Sequence, residues 1–251
     1  MPDFTQRFTG RASAYSKYRP SYPKSVIEIL NKEANFSCNK IVADVGSGTG
    51  ILSKIFLENG NEVFSVEPND EMRSLAESSL ESFPRFVSVK GSAENTTLND
   101  HCIDLISVGQ ALHWFNPDLS WKEFSRIAKR EAYLCVIYND RKPDDDSGFM
   151  KDYDEIASKY SLNRGRSQKI ESDKLAKFFE HWSFKKFSAP NNQVLDFEGL
   201  LGRLSSASYI PQAGEEDYTL LLNDVRKIFD QHQKEGFVTL YYETNVSLGR
   251  L

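Results

Sequence analysis

Residues 41 to 50 read IVADVGSGTG, an apolar run that ends in glycines at 46, 48 and 50. Such a run, stopped abruptly by turn residues, reads as a buried strand. The next stretch, ILSKIFLEN, repeats its apolar residues at helical spacing, so the glycines occupy a strand-to-helix turn. Glycine there permits backbone conformations with φ > 0 and lets the main chain approach a ligand closely. The start of the helix adds free amide groups. In an open α/β sheet, ligands sit past the carboxyl ends of the strands, which is where this turn falls.

The alternation continues along the chain. EVFSVEP reads as a second strand, and Asn69 caps a helix running to about residue 83, with Asp70 and Glu71 placed favourably for the helix dipole. RFVSVKG is strand three, IDLISVGQA strand four, PDLSWKEFSRIAKR a helix with proline in its first turn, and AYLCVIYND strand five. Residues 141 to 180, with RKPDDDSG at their start, are too long for a simple connection and read as an inserted lid or lobe. WSFKKFSA and GFVTLYYETNVSLGRL are two more strands, paired as an antiparallel edge, with a helix within EEDYTLLLNDVRKIFDQHQKEG between them. The expected fold is α/β: a doubly wound, mostly parallel, seven-stranded Rossmann-like sheet with an antiparallel edge strand and a helical insertion. It is one domain in three parts: 1–140, a cap segment and the ligand-binding half; 141–180, the insertion; and 181–251, which completes the sheet.

The formal charge of −5 gives a field that repels phosphate backbones and anionic lipid surfaces, so neither nucleic acid nor a membrane is an expected partner. No stretch approaches the roughly 18 apolar residues that span a bilayer, and MPDFTQRFTGRASAYSK has no apolar signal core; the expected location is the cytoplasm. Cys38, Cys102 and Cys135 lack metal-binding spacing and read as reduced packing residues, and Asp144 to Asp146 as a solvated loop, so no metal is expected.

A dinucleotide turn has the spacing G-x-G-x-x-G, but Ile51 stands where its third glycine would be. The G-x-G-x-G spacing found here suits a ligand whose tail is an amino acid rather than a pyrophosphate. Glu67, at the end of strand two, is placed to accept both hydroxyls of a ribose.

ADVGSGTG, the acid in SVEP, GSAENTTL after strand three and GQALHWF after strand four together resemble the class I, seven-strand S-adenosylmethionine-dependent methyltransferases. FTGRASAYSKYRPSYP and QALHWF are similar to the trans-aconitate methyltransferase-like branch. The resemblance covers about residues 38 to 140, with residues 4 to 23 added by the branch. It implies S-adenosyl-L-methionine as cofactor, S-adenosyl-L-homocysteine as product and a small-molecule methyl acceptor. It implies that Gly46, Ser47 and Gly48 pass under the methionine part, while Asp44 orients the turn or reaches the amino group. Glu67 would hold the ribose, Pro68 and Asn69 would flank the adenine, and Ser92, Ala93 and Glu94 would meet its edge. Gln110 and Ala111 would lie near the sulfonium, His113 and Trp114 would close the pocket, and Tyr15, Tyr18 and Arg19 would fold over it.

An activated sulfonium donor asks mainly for positioning and a dry cleft, so no paired carboxylates or metal cluster need appear. Where the acceptor arrives protonated, His113 or Tyr18 is the candidate base. A carboxylate oxygen is the first acceptor to consider, with Arg19, Arg141 or Arg203 to grip it, because a guanidinium fork suits that geometry. The Asn/Asp-Pro-Pro-Tyr/Phe motif of enzymes that methylate bases or glutamine is absent after strand four, where GQAL stands. Two other readings stay open from sequence: a non-catalytic binder of the same cofactor acting as a sensor or partner subunit, and a nicotinamide reductase.

Overall fold

The computed structural model describes residues 16–142, 148–161, 175, 177–179, 183–207 and 209–251. In chain order the elements are α1 (Ser25–Ala34), β1 (Ile41–Val45), α2 (Ile51–Glu58), β2 (Glu62–Val66), α3 (Asp70–Leu80), β3 (Phe86–Val89), β4 (Ile103–Gly109), α4 (Pro117–Ile127), β5 (Ala128–Arg141), α5 (Phe149–Lys159), β6 (Phe184–Leu195), α6 (Phe197–Ser205), α7 (Tyr218–His232) and β7 (Val238–Arg250). The strands form one sheet in the order β3-β2-β1-β4-β5-β7-β6. The first five pair in parallel, and β7 runs antiparallel to both β5 and β6. Between β1 and β4 the winding direction reverses, which opens a crevice at their carboxyl ends.

Alternation along the central strands builds two cores. Ala43, Val45, Ile106, Val108, Leu134 and Val136 face one side, where Phe124 and Ile127 of α4 cover them. Val42, Val63, Leu105, Cys135 and Ile137 face the other, against Val26 and Leu30 of α1 and Leu52 and Phe56 of α2. A sheet buried on both faces accounts for the near-continuous apolar run at 41–45. A third core joins α5, α6 and α7 over Val238, Leu240 and Tyr242 of β7, forming a helical lobe beside the antiparallel edge.

Local signals set several ends. Asn69 Oδ1 accepts from the Met72 amide at 2.9 Å, and Asn116 caps α4 in the same way with Pro117 behind it. Three boundaries differ from expectation. The helix after Asn69 stops at Leu80, shortly before Pro84. The helix from Pro117 ends at Ile127, because Ala128 pairs with Ile103 and starts β5 through an irregular register; Lys129 then donates to Asp104 at 2.7 Å. Strand β6 continues past Pro190 to Leu195, which an edge strand tolerates. Helices α1 and α6 were not anticipated by the sequence pattern. Much of the expected insertion, residues 143–147 and 162–174 included, lies outside the described residues, as does the Asp144 to Asp146 run. Among the described residues, no helix is long and apolar enough to cross a membrane, and no group of three or more His, Cys, Asp or Glu could hold a metal ion.

Candidate active site

The turn after β1 is held in a form only glycine tolerates. Gly46 has φ +69° and Gly50 φ +83°, and a Cβ on them would stand 2.7 Å from Ala111 Cβ and 2.6 Å from Leu80 Cδ1 respectively. The amides of Gly46 and Ser47 donate to the Val66 carbonyl at 2.9 and 3.2 Å, which pins the turn to the end of β2. Glu67 follows directly. Its Oε2 accepts from the Gly48 amide at 2.9 Å and its Oε1 from the Asn69 amide at 2.8 Å. Burial pushes the Glu67 carboxyl up, against the opposing pull of these amides. Each carboxylate oxygen keeps a second lone pair, so the acid shapes the turn and can still accept from a ligand.

Asp44 lies wholly inside. Its Oδ2 accepts from the Ser53 hydroxyl at 2.6 Å and its Oδ1 from Ser107 at 3.1 Å, while Ser53 and Ser65 share a contact of 2.5 Å. These bonds tie β1 to α2 and β4 and, through Ser53, to β2. Burial raises the Asp44 pKa from the ordinary 3.8 to about 6. A carboxyl whose pKa is raised by folding stabilises the native state below about pH 3.8, and this contribution is lost as the pH rises through about 6. The shift corresponds to about 3 kcal/mol. Denaturant unfolding should therefore show wild type losing about 3 kcal/mol relative to Asp44→Asn between about pH 4 and 7. Parallel pH profiles for the two proteins would contradict a buried, titrating Asp44.

A cleft with about 520 Å³ of empty space, part of it open solvent, lies over the turn. Asp44, Gly46, Ser47, Gly48 and Thr49 form its floor, and Gly109 and Gln110 at the end of β4 and Asn139 on β5 form one wall. Arg203 of α6 closes another side, and Arg19, Pro20 and Tyr22 cross from the segment before α1. Gln110 is held with φ +56° by its amide bond to Ile137 O at 3.0 Å and its Nε2 bond to Asn139 O at 3.1 Å. Ser47 Oγ and Thr49 Oγ1 are buried without a hydrogen-bond partner among the described residues. Unpaired hydroxyls on a glycine cradle fit a ligand that brings polar atoms of its own, as the amino-acid tail of S-adenosylmethionine does.

The adenine-side residues stand beside this cleft rather than in its lining. Ser92 Oγ accepts from the amides of Glu94 and Asn95, each at 3.3 Å, and closes the turn after β3. Glu94 Oε1 accepts from the Asn116 amide at 2.8 Å and the Ser120 hydroxyl at 3.3 Å, so this carboxylate is engaged at the start of α4. Ala93 is buried in the core that contains Val45, and Pro68 links Glu67 to the capping Asn69. His113 lies tilted at 48° against Trp114, ring centroids 4.4 Å apart, in a short 3-10 turn, with Nδ1 3.4 Å from the Tyr138 hydroxyl; neither ring lines the cleft. Tyr15 lies outside the described residues.

The arginines divide. Arg141 pairs with Asp154 at 2.6 and 2.8 Å and lies over the Tyr153 ring. Arg19 donates to the Ser206 carbonyl at 3.1 Å. Arg203 is only 6% exposed, donates from Nε to Tyr242 Oη at 3.2 Å, and has no carboxylate partner among the described residues. Asn139 was missed in the sequence, although its place at the polar end of an apolar strand could have marked it. Tyr242 and Gln193 carried no such mark.

Residues 43–136 match a family model described as a methyltransferase domain. An uncharacterized methyltransferase of Mycobacterium tuberculosis is 27% identical over 92% of this chain and 88% of its own. A Saccharomyces cerevisiae protein named a probable S-adenosylmethionine-dependent methyltransferase is 26% identical over 49% of this chain and 44% of its own. A solved structure from Anaeromyxobacter dehalogenans, named for a type II methyltransferase, shares the fold at a TM-score of 0.68 and 20% identity, covering 93% of this chain and 98% of that one. These likenesses support the wider class and not the narrower trans-aconitate branch. With the methyltransferase domain matched over the segment that carries the glycine turn and the acid of β2, on this seven-stranded sheet, the chain is a class I S-adenosylmethionine-dependent methyltransferase.

Proposed function

We propose that the enzyme methylates a dissolved small-molecule acid in the cytoplasm, at a carboxylate oxygen, and that Arg203 holds the acid. The observation that carries this is a guanidinium buried at the cleft with no carboxylate beside it among the described residues. An arginine does not shed its proton, and leaving such a charge unpaired inside a protein is costly, so an anionic ligand is the fitting partner. Because Nε already serves Tyr242, the two terminal nitrogens remain to receive the acid. The net charge of −5 supports a small acceptor over nucleic acid or a membrane surface.

Glu67 accepts the ribose hydroxyls in this reading, and the turn at Gly46 to Thr49 takes the amino-acid tail by main-chain amides and hydroxyls. Pro68, Asn69 and Ala93, with Ser92 and Glu94 shaping the loops around them, flank the adenine. Bound S-adenosylmethionine supplies a methyl group already activated on a sulfonium. Gln110, with Ala111 beside it, helps to exclude water around it. An ionised carboxylate needs no base, so neither His113 nor Tyr18 is required as a proton acceptor.

The test is a panel of carboxylic acids incubated with enzyme and S-adenosylmethionine, read by mass spectrometry for S-adenosylhomocysteine and a base-labile methyl ester in equal amounts. Transfer to amines or phenols with no ester formed from any acid would remove the carboxylate reading.

A further inference from the structure

We propose that Gly202 is a positioning residue: its bare backbone on α6 is the socket in which the Tyr18 ring seats, and this contact holds residues 16–22 across the cleft and sets how fast the cofactor exchanges. The inference rests on the reading that the cleft takes S-adenosylmethionine.

Gly202 lies inside a helix, where glycine is unfavourable relative to alanine, so its presence asks for a reason. A Cβ there would fall on the Tyr18 ring, 2.6 Å from Cζ and closer still to Cδ2 and Cε2. The ring has little room to step aside because the chain around it is tied. Gln193 Nε2 donates to Tyr18 O at 2.9 Å, and Arg19 donates to Ser206 O at 3.1 Å. Two asparagines, Asn139 and Asn191, donate to Ser21 O at 3.2 and 2.8 Å.

All four ties run to β5, β6 and the residue that ends α6. Yet Arg19, Pro20 and Tyr22 of the same segment line the cleft whose floor is the glycine turn. The segment therefore spans from the acceptor side of the molecule to the cofactor side. Gly202 also precedes Arg203, so one turn of α6 carries both the socket and the arginine proposed to hold the acid. Cofactor entry or release then requires the Tyr18 ring to leave its socket.

Gly202→Ala tests this, together with Tyr18→Ala and the double variant. Three quantities are measured: release of labelled S-adenosylhomocysteine chased by excess unlabelled compound, the rate of trypsin cleavage after Lys17, and the thermal midpoint. Release and cleavage are both expected to rise about tenfold in Gly202→Ala, as for an opened lid, while the midpoint stays or rises because alanine favours the helix. Tyr18→Ala is expected to match it, and adding Gly202→Ala to Tyr18→Ala to change nothing further. Wild-type release and cleavage in Gly202→Ala would overturn the proposal, as would a Gly202→Ala effect that persists without the Tyr18 ring. Should Gly202→Ala fail to fold, Tyr18→Ala decides alone, since it removes the ring without a clash; wild-type behaviour there overturns the proposal. Failure of wild type to bind S-adenosylhomocysteine would instead sink the cofactor assignment of the cleft, and the cleavage rates would still judge the socket.

Discussion

In a calorimetric titration, Glu67→Ala is expected to bind S-adenosylhomocysteine at least about a hundredfold more weakly than wild type, because two hydrogen bonds to an ionised group are lost, each worth about 1.5–3 kcal/mol. The loss has a second source. Glu67 also receives the amides of Gly48 and Asn69, and removing it leaves two main-chain donors at the head of the turn without their acceptor. The thermal midpoint should therefore fall as well. Glu67→Gln separates size from chemistry: an amide fills the same space, but its NH2 must face one of those two N–H donors, so binding should be nearly as poor as in the alanine variant. Glu67→Asp keeps the charge on a stem one methylene shorter and should fall between. Binding by Glu67→Ala within threefold of wild type would mean that the ribose is held elsewhere.

Glu67 was legible in the sequence for a physical reason. A residue at the end of a buried strand beside a glycine turn is located by period and punctuation alone, so its place needed no knowledge of distant packing. The same holds for Asn69 and Asn116, whose caps act within three residues. Long-range competition decided what was misread. Lys129 looked like the basic end of a helix, yet its partner Asp104 lies 25 residues away on the neighbouring strand. Pro190 reads as a strand breaker until β6 is known to be an edge.

The site divides along the same line. Gly46 and Gly48 reach the cleft through a local turn, whereas Asn139 matters because Ser21, Gln110 and Thr244 converge on it from three parts of the chain. Glu94 shows the converse. Its position after β3 suggested the adenine edge, but Asn116 and Ser120, more than 20 residues on, engage its carboxylate. Nothing within LLGRLSS marks Arg203 as different from a surface arginine. Its burial comes from α5, α7 and β7 closing around α6, a core assembled from segments up to about 100 residues apart.

Under the proposed function, that placement makes Arg203 the most consequential single change for turnover. Replacing it with leucine is expected to reduce kcat/KM for the proposed acid acceptor about a thousandfold, roughly 4 kcal/mol, since the anion would lose the buried guanidinium proposed to hold it. S-adenosylhomocysteine affinity should stay within about threefold of wild type, because Glu67 and the turn are untouched. Stability carries the opposite sign. A buried guanidinium bound to one phenol gains little to offset its desolvation, so an apolar side chain of similar reach should leave the protein equally stable or more stable by about 1 kcal/mol, despite the lost bond to Tyr242. Arg203→Lys keeps the charge but presents one ammonium in place of a planar pair of donors, and should recover only part of the activity. A structural arginine would behave in reverse: Arg203→Leu would unfold several kcal/mol more easily, and whatever remained folded would methylate the acid at the wild-type rate. An arginine kept for an anionic substrate would cost stability and serve turnover, and the opposed signs of these two measurements separate that role from ordinary packing.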